Sequence, residues 1–163
     1  MNDSYQEIND QVTFLTADVI QFHRDLAQKY TMEQNGEDNV ALVESAIASA
    51  FATGFGEDLH PTIFDKAATL LYGIAKNHGF SDGNKRVALH TMETFLYANG
   101  IDLYAPNSKE VVIRVAKSNP IRRDLAHYFL VRWLEKWTKD RNELLYSEDD
   151  NVIDIVMNQK KER

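Results

Sequence analysis

No cysteine occurs in the 163 residues. Disulfides and thiolate metal sites are therefore excluded, and a reducing cytoplasm is the natural setting. No apolar run approaches the ~20 residues that a membrane-spanning helix needs. The opening residues 1–7 lack the basic start and apolar centre of a secretory signal. Positive charge is not in excess either: the formal net charge is −7, which argues against general nucleic-acid binding. The pairs Lys85-Arg86 and Arg122-Arg123 lack the interleaved aromatics of a single-strand platform. No internal repeat is visible. What is present, a 44% hydrophobic fraction in a chain of this length, suits one domain with one core.

The apolar spacing is helical almost throughout. Residues 1–12 read as a loose polar leader. Thr16, with Asp18 behind it, predicts a capped helix to about Tyr30 that buries Val19, Ile20, Phe22 and Leu26. Asn35-Gly36 marks a turn; no alternating strands flank it as a hairpin would require. A second helix follows from about Val40 to Thr53, facing inward with Ala41, Leu42, Ala46, Ala50 and Phe51. The stretch from Phe55 to Pro61 breaks the pattern. Thr62 then starts a helix over residues 62–77 with Phe64, Ala67, Ala68, Leu71 and Ile74 or Ala75 inward. Gly73 inside it costs about 1 kcal/mol relative to alanine, which marks close packing. A central helix runs from Asn84 to about Ala98 and stops at Asn99-Gly100. Residues 101–104 are a short extended candidate. Asn107 or Ser108 caps a helix to about Lys117, Asn119-Pro120 breaks it, and Ile121 to Trp137 is amphipathic, with Leu125, Tyr128, Phe129, Val131, Trp133, Leu134 and Trp137 on or near one face. The chain thus reads as all-α, about six helices with one small hairpin. A polar, then acidic tail over 138–163 carries a short apolar stripe at Val152, Ile153, Ile155 and Val156. It reads as a marginal surface helix, or as a docking segment for a partner.

One segment concentrates the chemistry: His78-Gly79-Phe80-Ser81-Asp82-Gly83-Asn84-Lys85-Arg86. It lies between two helical patterns, so it reads as helix, tight loop, helix. The first turn of a helix has unpartnered N–H groups and the positive end of the macrodipole, and such an end binds phosphate. Gly83 lets backbone approach a ligand closely. The N–H groups of Gly83, Asn84 and Lys85 form a nest for an anion, and Lys85 and Arg86 add full charge, Arg86 with a two-pronged grip. A carboxylate at Asp82 would repel phosphates unless it holds Mg²⁺, which shares protein carboxylates with substrate phosphates. Histidine, at His78, is the side chain suited to take a proton from a hydroxyl near neutral pH. Base, metal ligand and phosphate cup together describe transfer of a phosphorus-containing group from a nucleotide to an alcohol. The plainer alternative is an ordinary Asp-Gly-Asn turn with a solvated helix start, although cations are the wrong sign for an unoccupied N-terminus.

At these residues the chain resembles the Fic/Doc family. The Fic branch usually reads His-x-Phe-x-Asp/Glu-Gly-Asn-Gly-Arg-x-x-Arg and the Doc branch His-x-Phe-x-Asp-Ala-Asn-Lys-Arg. This chain has the Fic-like Gly83 and the Doc-like Lys85, and Leu89 stands where Fic members carry a second arginine. The likeness to a compact Doc-type (death-on-curing) domain extends over residues 13–137, leaving 138–163 as the tail. It implies a Fic/Doc-like helical bundle in which residues 55–61 form a flap that a target peptide lies against.

The resemblance also implies roles. His78 looks like the general base, Phe80 like the apolar pin that anchors the loop and aims His78, and Asp82 like the Mg²⁺ ligand. Gly83 and Asn84 would supply the anion cup and Arg86 would hold phosphate. Lys85 fills the place where most Fic proteins seat the α-phosphate and transfer AMP. Doc-like members bind ATP the other way round and transfer its γ-phosphate to a threonine of translation elongation factor Tu, halting protein synthesis. The implied function is thus a Doc-like ATP-dependent phosphotransferase. AMP transfer of the Fic type, and a catalytically silent binding module in a toxin–antitoxin complex, remain open alternatives. The inhibitory helix signature Ser/Thr-x-x-x-Glu-Gly/Asn is missing, which implies restraint by a separate antitoxin of the Phd type. Outside the motif, His23 and His127 read as half-buried structural residues, His60 lies in the flap without an assigned role, and His90 shares a helix face with Arg86. A transition-metal set of His78, Asp82 and His90 matches no standard spacing.

Overall fold

The computed structural model describes residues 5–8, 11–33 and 38–141. Within them the chain forms six α-helices and three two-stranded antiparallel sheets, the first two of them hairpins. The first pair is β1 (Tyr5–Ile8) with β2 (Gln11–Phe14), in register Tyr5 to Phe14 and Ile8 to Gln11. Then come α1 (Thr16–Lys29), α2 (Val40–Ala50), the flap strands β3 (Thr53–Gly54) and β4 (Glu57–Asp58), α3 (Ile63–Asn77) and α4 (Asn84–Ala98). The rest is β5 (Ile101–Leu103), α5 (Ser108–Lys117), a 3₁₀ turn at Pro120–Arg122, α6 (Arg123–Trp137) and β6 (Thr138–Asp140). No described helix is long and apolar enough to cross a membrane.

The all-α architecture of six helices matches the sequence reading, and the differences are local. α3, rather than α4, is the hub: it packs against α2, α4, α5 and α6, and nine of its residues are buried. Its approach to α2 is close because Gly73 has no side chain; a Cβ there would lie 2.9 Å from that of Ala46. Thr16 is the first residue of α1 and not its cap. Leu15 precedes it, and the Asp18 carboxylate accepts the Leu15 N–H at 2.8 Å. On α2 Ala46 and Ala50 are buried as expected and Val43 joins them, while Ala41 is exposed.

Residues 5–8 and 11–12, read as leader, pair as the first hairpin. It is held by Asn99, whose side chain accepts the Val12 N–H at 2.9 Å and donates to the Val12 carbonyl at 2.8 Å. β6 continues the domain past Trp137 by pairing with β5. On α6 the buried stripe is Leu130, Trp133 and Leu134; Leu125, Tyr128 and Phe129, expected inward, are exposed. The Asn35-Gly36 turn and the tail beyond Arg141 lie outside the described residues.

Candidate active site

The loop between α3 and α4 is built by three local devices. α3 ends on His78, whose backbone is left-handed (φ 51°, ψ 46°), an arrangement that costs a non-glycine residue about 1–2 kcal/mol. Glycine, the usual choice there, stands one residue later, where a Cβ would press to 2.7 Å from Val43 Cγ2. The conformational freedom is thus absent where the backbone is strained, and the strained residue carries an exposed imidazole. Second, Phe80 is 3% exposed and its ring anchors the loop in the core. Third, the Asn84 side chain clamps Phe80: its oxygen accepts the Phe80 N–H at 3.0 Å and its nitrogen donates to the Phe80 carbonyl at 2.7 Å.

α4 begins after Gly83, also left-handed at φ 84°. The first helical bond of α4 is from the Val87 N–H to the Gly83 carbonyl at 2.9 Å, so the N–H groups of Asn84, Lys85 and Arg86 precede it. The Gly83 N–H is engaged by Asp82 Oδ1 at 2.6 Å, and the other carboxylate oxygen accepts the Glu33 N–H at 3.2 Å. These two bonds, followed by Arg86 and Lys85, hold the Asp82 carboxyl below the usual carboxylate range. Asp82 is anionic at neutral pH. Each of its oxygens retains an unused lone pair, which fits a site where one protein carboxylate and the phosphates of a ligand share Mg²⁺. Lys85 and Arg86 are exposed, and the Arg86 guanidinium lies 5.2 Å from the centre of the Tyr30 ring.

His78, Phe80, Asp82, Gly83, Asn84, Lys85 and Arg86 are therefore gathered on one loop and helix start. His90 is not among them: it packs edge-on to Phe22 at 4.9 Å, and burial lowers its pKa. No cluster of three or more His, Cys, Asp or Glu among the described residues is placed to hold a metal.

Sequence reasoning missed the other wall of the site, α1 and the irregular segment after it. His23, read as half-buried, is 3% exposed, with Nε2 3.0 Å from the Asp82 carbonyl oxygen. Met32 is buried over Gly83, and the Ser81 hydroxyl donates to the Glu33 carbonyl at 3.2 Å. The amphipathic pattern of α1 was the one available signal, and it marks a face without saying what the face touches.

The flap is a hairpin, with Phe55 fully exposed at its tip in a left-handed turn (φ 53°). Lys66, 1% exposed, ties it to α3: its ammonium donates to Asp58 Oδ2 at 2.8 Å and to the His60 carbonyl. Burial first, and then the His127 ring 5.4 Å away, lowers the pKa of His60.

Residues 13–96, which hold this helix–loop–helix, match the Fic/DOC family model. The chain belongs to the Fic/DOC family. Within it, the chain is 38% identical over 99 residues to the protein named Toxin Doc of Mycolicibacterium smegmatis (strain ATCC 700084 / mc(2)155), a stretch covering 61% of this chain and 69% of that one.

Proposed function

We propose that this chain is a Doc-type toxin that transfers the γ-phosphate of ATP to a hydroxyl of a protein. The observation that carries this reading is the exposed His78, held in a strained backbone beside the open N-terminus of α4. Asp82 and Asn84 also hold the loop together, so a silent binding module would keep them. His78 makes no side-chain hydrogen bond among the described residues, and chemistry is the reason left for it.

In this reading the α4 N-terminus, Lys85 and Arg86 bind the phosphates, and Asp82 would hold Mg²⁺. Bound there, the ion would offset the negative charge of the phosphates. His78 takes the proton of the acceptor hydroxyl. The oxygen of that hydroxyl bonds to the γ-phosphorus, the bond from that phosphorus to the bridging oxygen breaks, and ADP leaves with the electron pair. Phe80 and Asn84 hold the imidazole at the mouth of the cup, and the flap supports the segment that presents the hydroxyl.

AMP transfer would attack at the α-phosphorus instead. The Fic-like Gly83 favours that reading on sequence, but Met32 occupies the space its missing side chain leaves. The left-handed backbone of Gly83 (φ 84°) accounts for the glycine without AMP chemistry, and the Doc-like Lys85 supports phosphate transfer. Elongation factor Tu is the target that the resemblance to Doc suggests, with arrest of translation in the cytoplasm as the outcome. Restraint falls to a separate antitoxin of the Phd type.

The test is incubation of the purified chain with a cell extract and ATP labelled at either the γ- or the α-phosphate. Label on protein from the γ-position alone supports phosphotransfer; label from the α-position alone overturns it in favour of AMP transfer. The antitoxin proposal fails if the purified chain is inert and truncation of its tail switches it on.

A further inference from the structure

We propose that His23 is a positioning residue of this site: by holding the Asp82 carbonyl from inside the core, it sets the direction of the Gly83 N–H and of the Asp82 carboxylate. The inference rests on reading the loop as a phosphate and metal site, and it names a residue outside the motif on which that site depends.

The geometry runs through one peptide plane. The Asp82 carbonyl and the Gly83 N–H belong to the same trans peptide and point in opposite directions. His23 Nε2 lies 3.0 Å from that carbonyl oxygen. A carbonyl only accepts, so Nε2 carries the proton. With the carbonyl turned into the core by this bond, the N–H faces outward, where Asp82 Oδ1 engages it at 2.6 Å. Remove the donor and a part-buried carbonyl is left unpaired; the peptide then gains by turning toward water, and the N–H turns with it.

The imidazole is held on two further sides. Its ring stacks on Phe80 with centroids 4.2 Å apart and planes 16° apart. Nδ1 faces the Asp38 carboxylate at 3.9 Å. Its Cδ2 lies 3.6 Å from where a Cβ on residue 83 would sit. One buried ring thus touches the residue that aims His78 and the carboxylate residue, and a side chain on residue 83 would also lie against it. A residue that merely filled space would need no donor aimed at a loop carbonyl.

Two variants separate these roles: His23→Phe keeps the stacking and loses the donor, and His23→Gln returns an N–H near the position of Nε2. Amide hydrogen exchange in the free protein is the first readout, because it needs no ligand. In His23→Phe the Gly83 amide should exchange about tenfold faster or more, while the Val87 amide one turn along keeps its protection. Calorimetry with ATP and Mg²⁺ is the second. Affinity should fall about 10–100-fold in His23→Phe, as for other residues that orient a metal ligand, and recover in His23→Gln. Unchanged Gly83 exchange in a folded His23→Phe variant overturns the proposal. If that variant does not fold, the imidazole ¹⁵N spectrum of the unaltered protein decides: protonation at Nε2 supports the assignment, and an Nδ1–H tautomer overturns it. Should the unaltered chain bind no ATP, the phosphotransfer reading fails, and the exchange readout still judges His23.

Discussion

Met32 fills the space that Gly83 leaves open: an ideal Cβ built on Gly83 would lie 2.3 Å from Met32 Cε and 3.0 Å from its Sδ. The first conflict is with the far end of a flexible side chain, which can swing away. The second is the backbone, since φ of 84° is unfavourable for an L side chain. Gly83→Ala should therefore cost about 1–2 kcal/mol, most of it backbone strain. A double-mutant cycle with Met32→Ala in urea unfolding should recover only a minor part of that. Full recovery would show that packing alone, and not φ, selects glycine here.

His78→Ala should remove catalysis and spare the fold. The imidazole is exposed and makes no side-chain hydrogen bond among the described residues, so the unfolding free energy should stay within about 0.5 kcal/mol of the unaltered chain. Loss of a general base should lower the transfer rate about 10²–10⁴-fold. ATP affinity should be nearly unchanged. A variant that still arrests growth as strongly would remove His78 from the mechanism.

The bounds of α4 were legible because they rest on local signals. Asn84 follows a glycine, and Asn99-Gly100 stops the helix, so the expected and observed spans coincide. The motif loop was legible for the same reason. The partners of that loop were not. His23 reaches Asp82 across 59 positions and Glu33 across 49, and such contacts exist only once α1 lies against α4. The β1–β2 hairpin hid similarly, since Asn99, 87 positions from Val12, holds it in place. α6 misled for a different reason. It is apolar on more than one side, so its period could not choose between Leu130 and Leu125 as the buried face.

Acid should selectively erase the contribution of Asp82. Its folded pKa lies below the unfolded value of about 3.9. The contribution is therefore present above the unfolded value and is lost as pH falls through the lower, folded one. Asp82→Asn should be less stable than the unaltered chain at neutral pH, by a small margin because the carboxylate is partly exposed and screened. The gap in urea midpoint should narrow below about pH 4. A gap constant to the acid end would mean that the Gly83 and Glu33 N–H groups do not favour the charged form.

The flap offers an asymmetric test. Lys66 is 1% exposed, whereas the Asp58 side chain it binds at 2.8 Å is 22% exposed. Water can thus reach one partner and not the other. Lys66→Met removes the buried charge and leaves an aspartate that solvent can still serve, so its cost should be about 1–3 kcal/mol. Asp58→Ala leaves the ammonium in the core, and losing the partner of a buried charge costs about 3–5 kcal/mol. Thermal and urea unfolding of the two variants should rank Asp58→Ala as the more damaging; the reverse order would mean that the ammonium is not the costly member of the pair. Function should divide along a different line. Lys66 also holds the His60 carbonyl, so Lys66→Met removes the tie of α3 to the hairpin at Asp58 and at His60 while leaving the α3–α4 loop intact. ATP binding should therefore persist while transfer to a protein acceptor falls. A parallel loss of both would place the flap in nucleotide binding rather than in presentation of the hydroxyl.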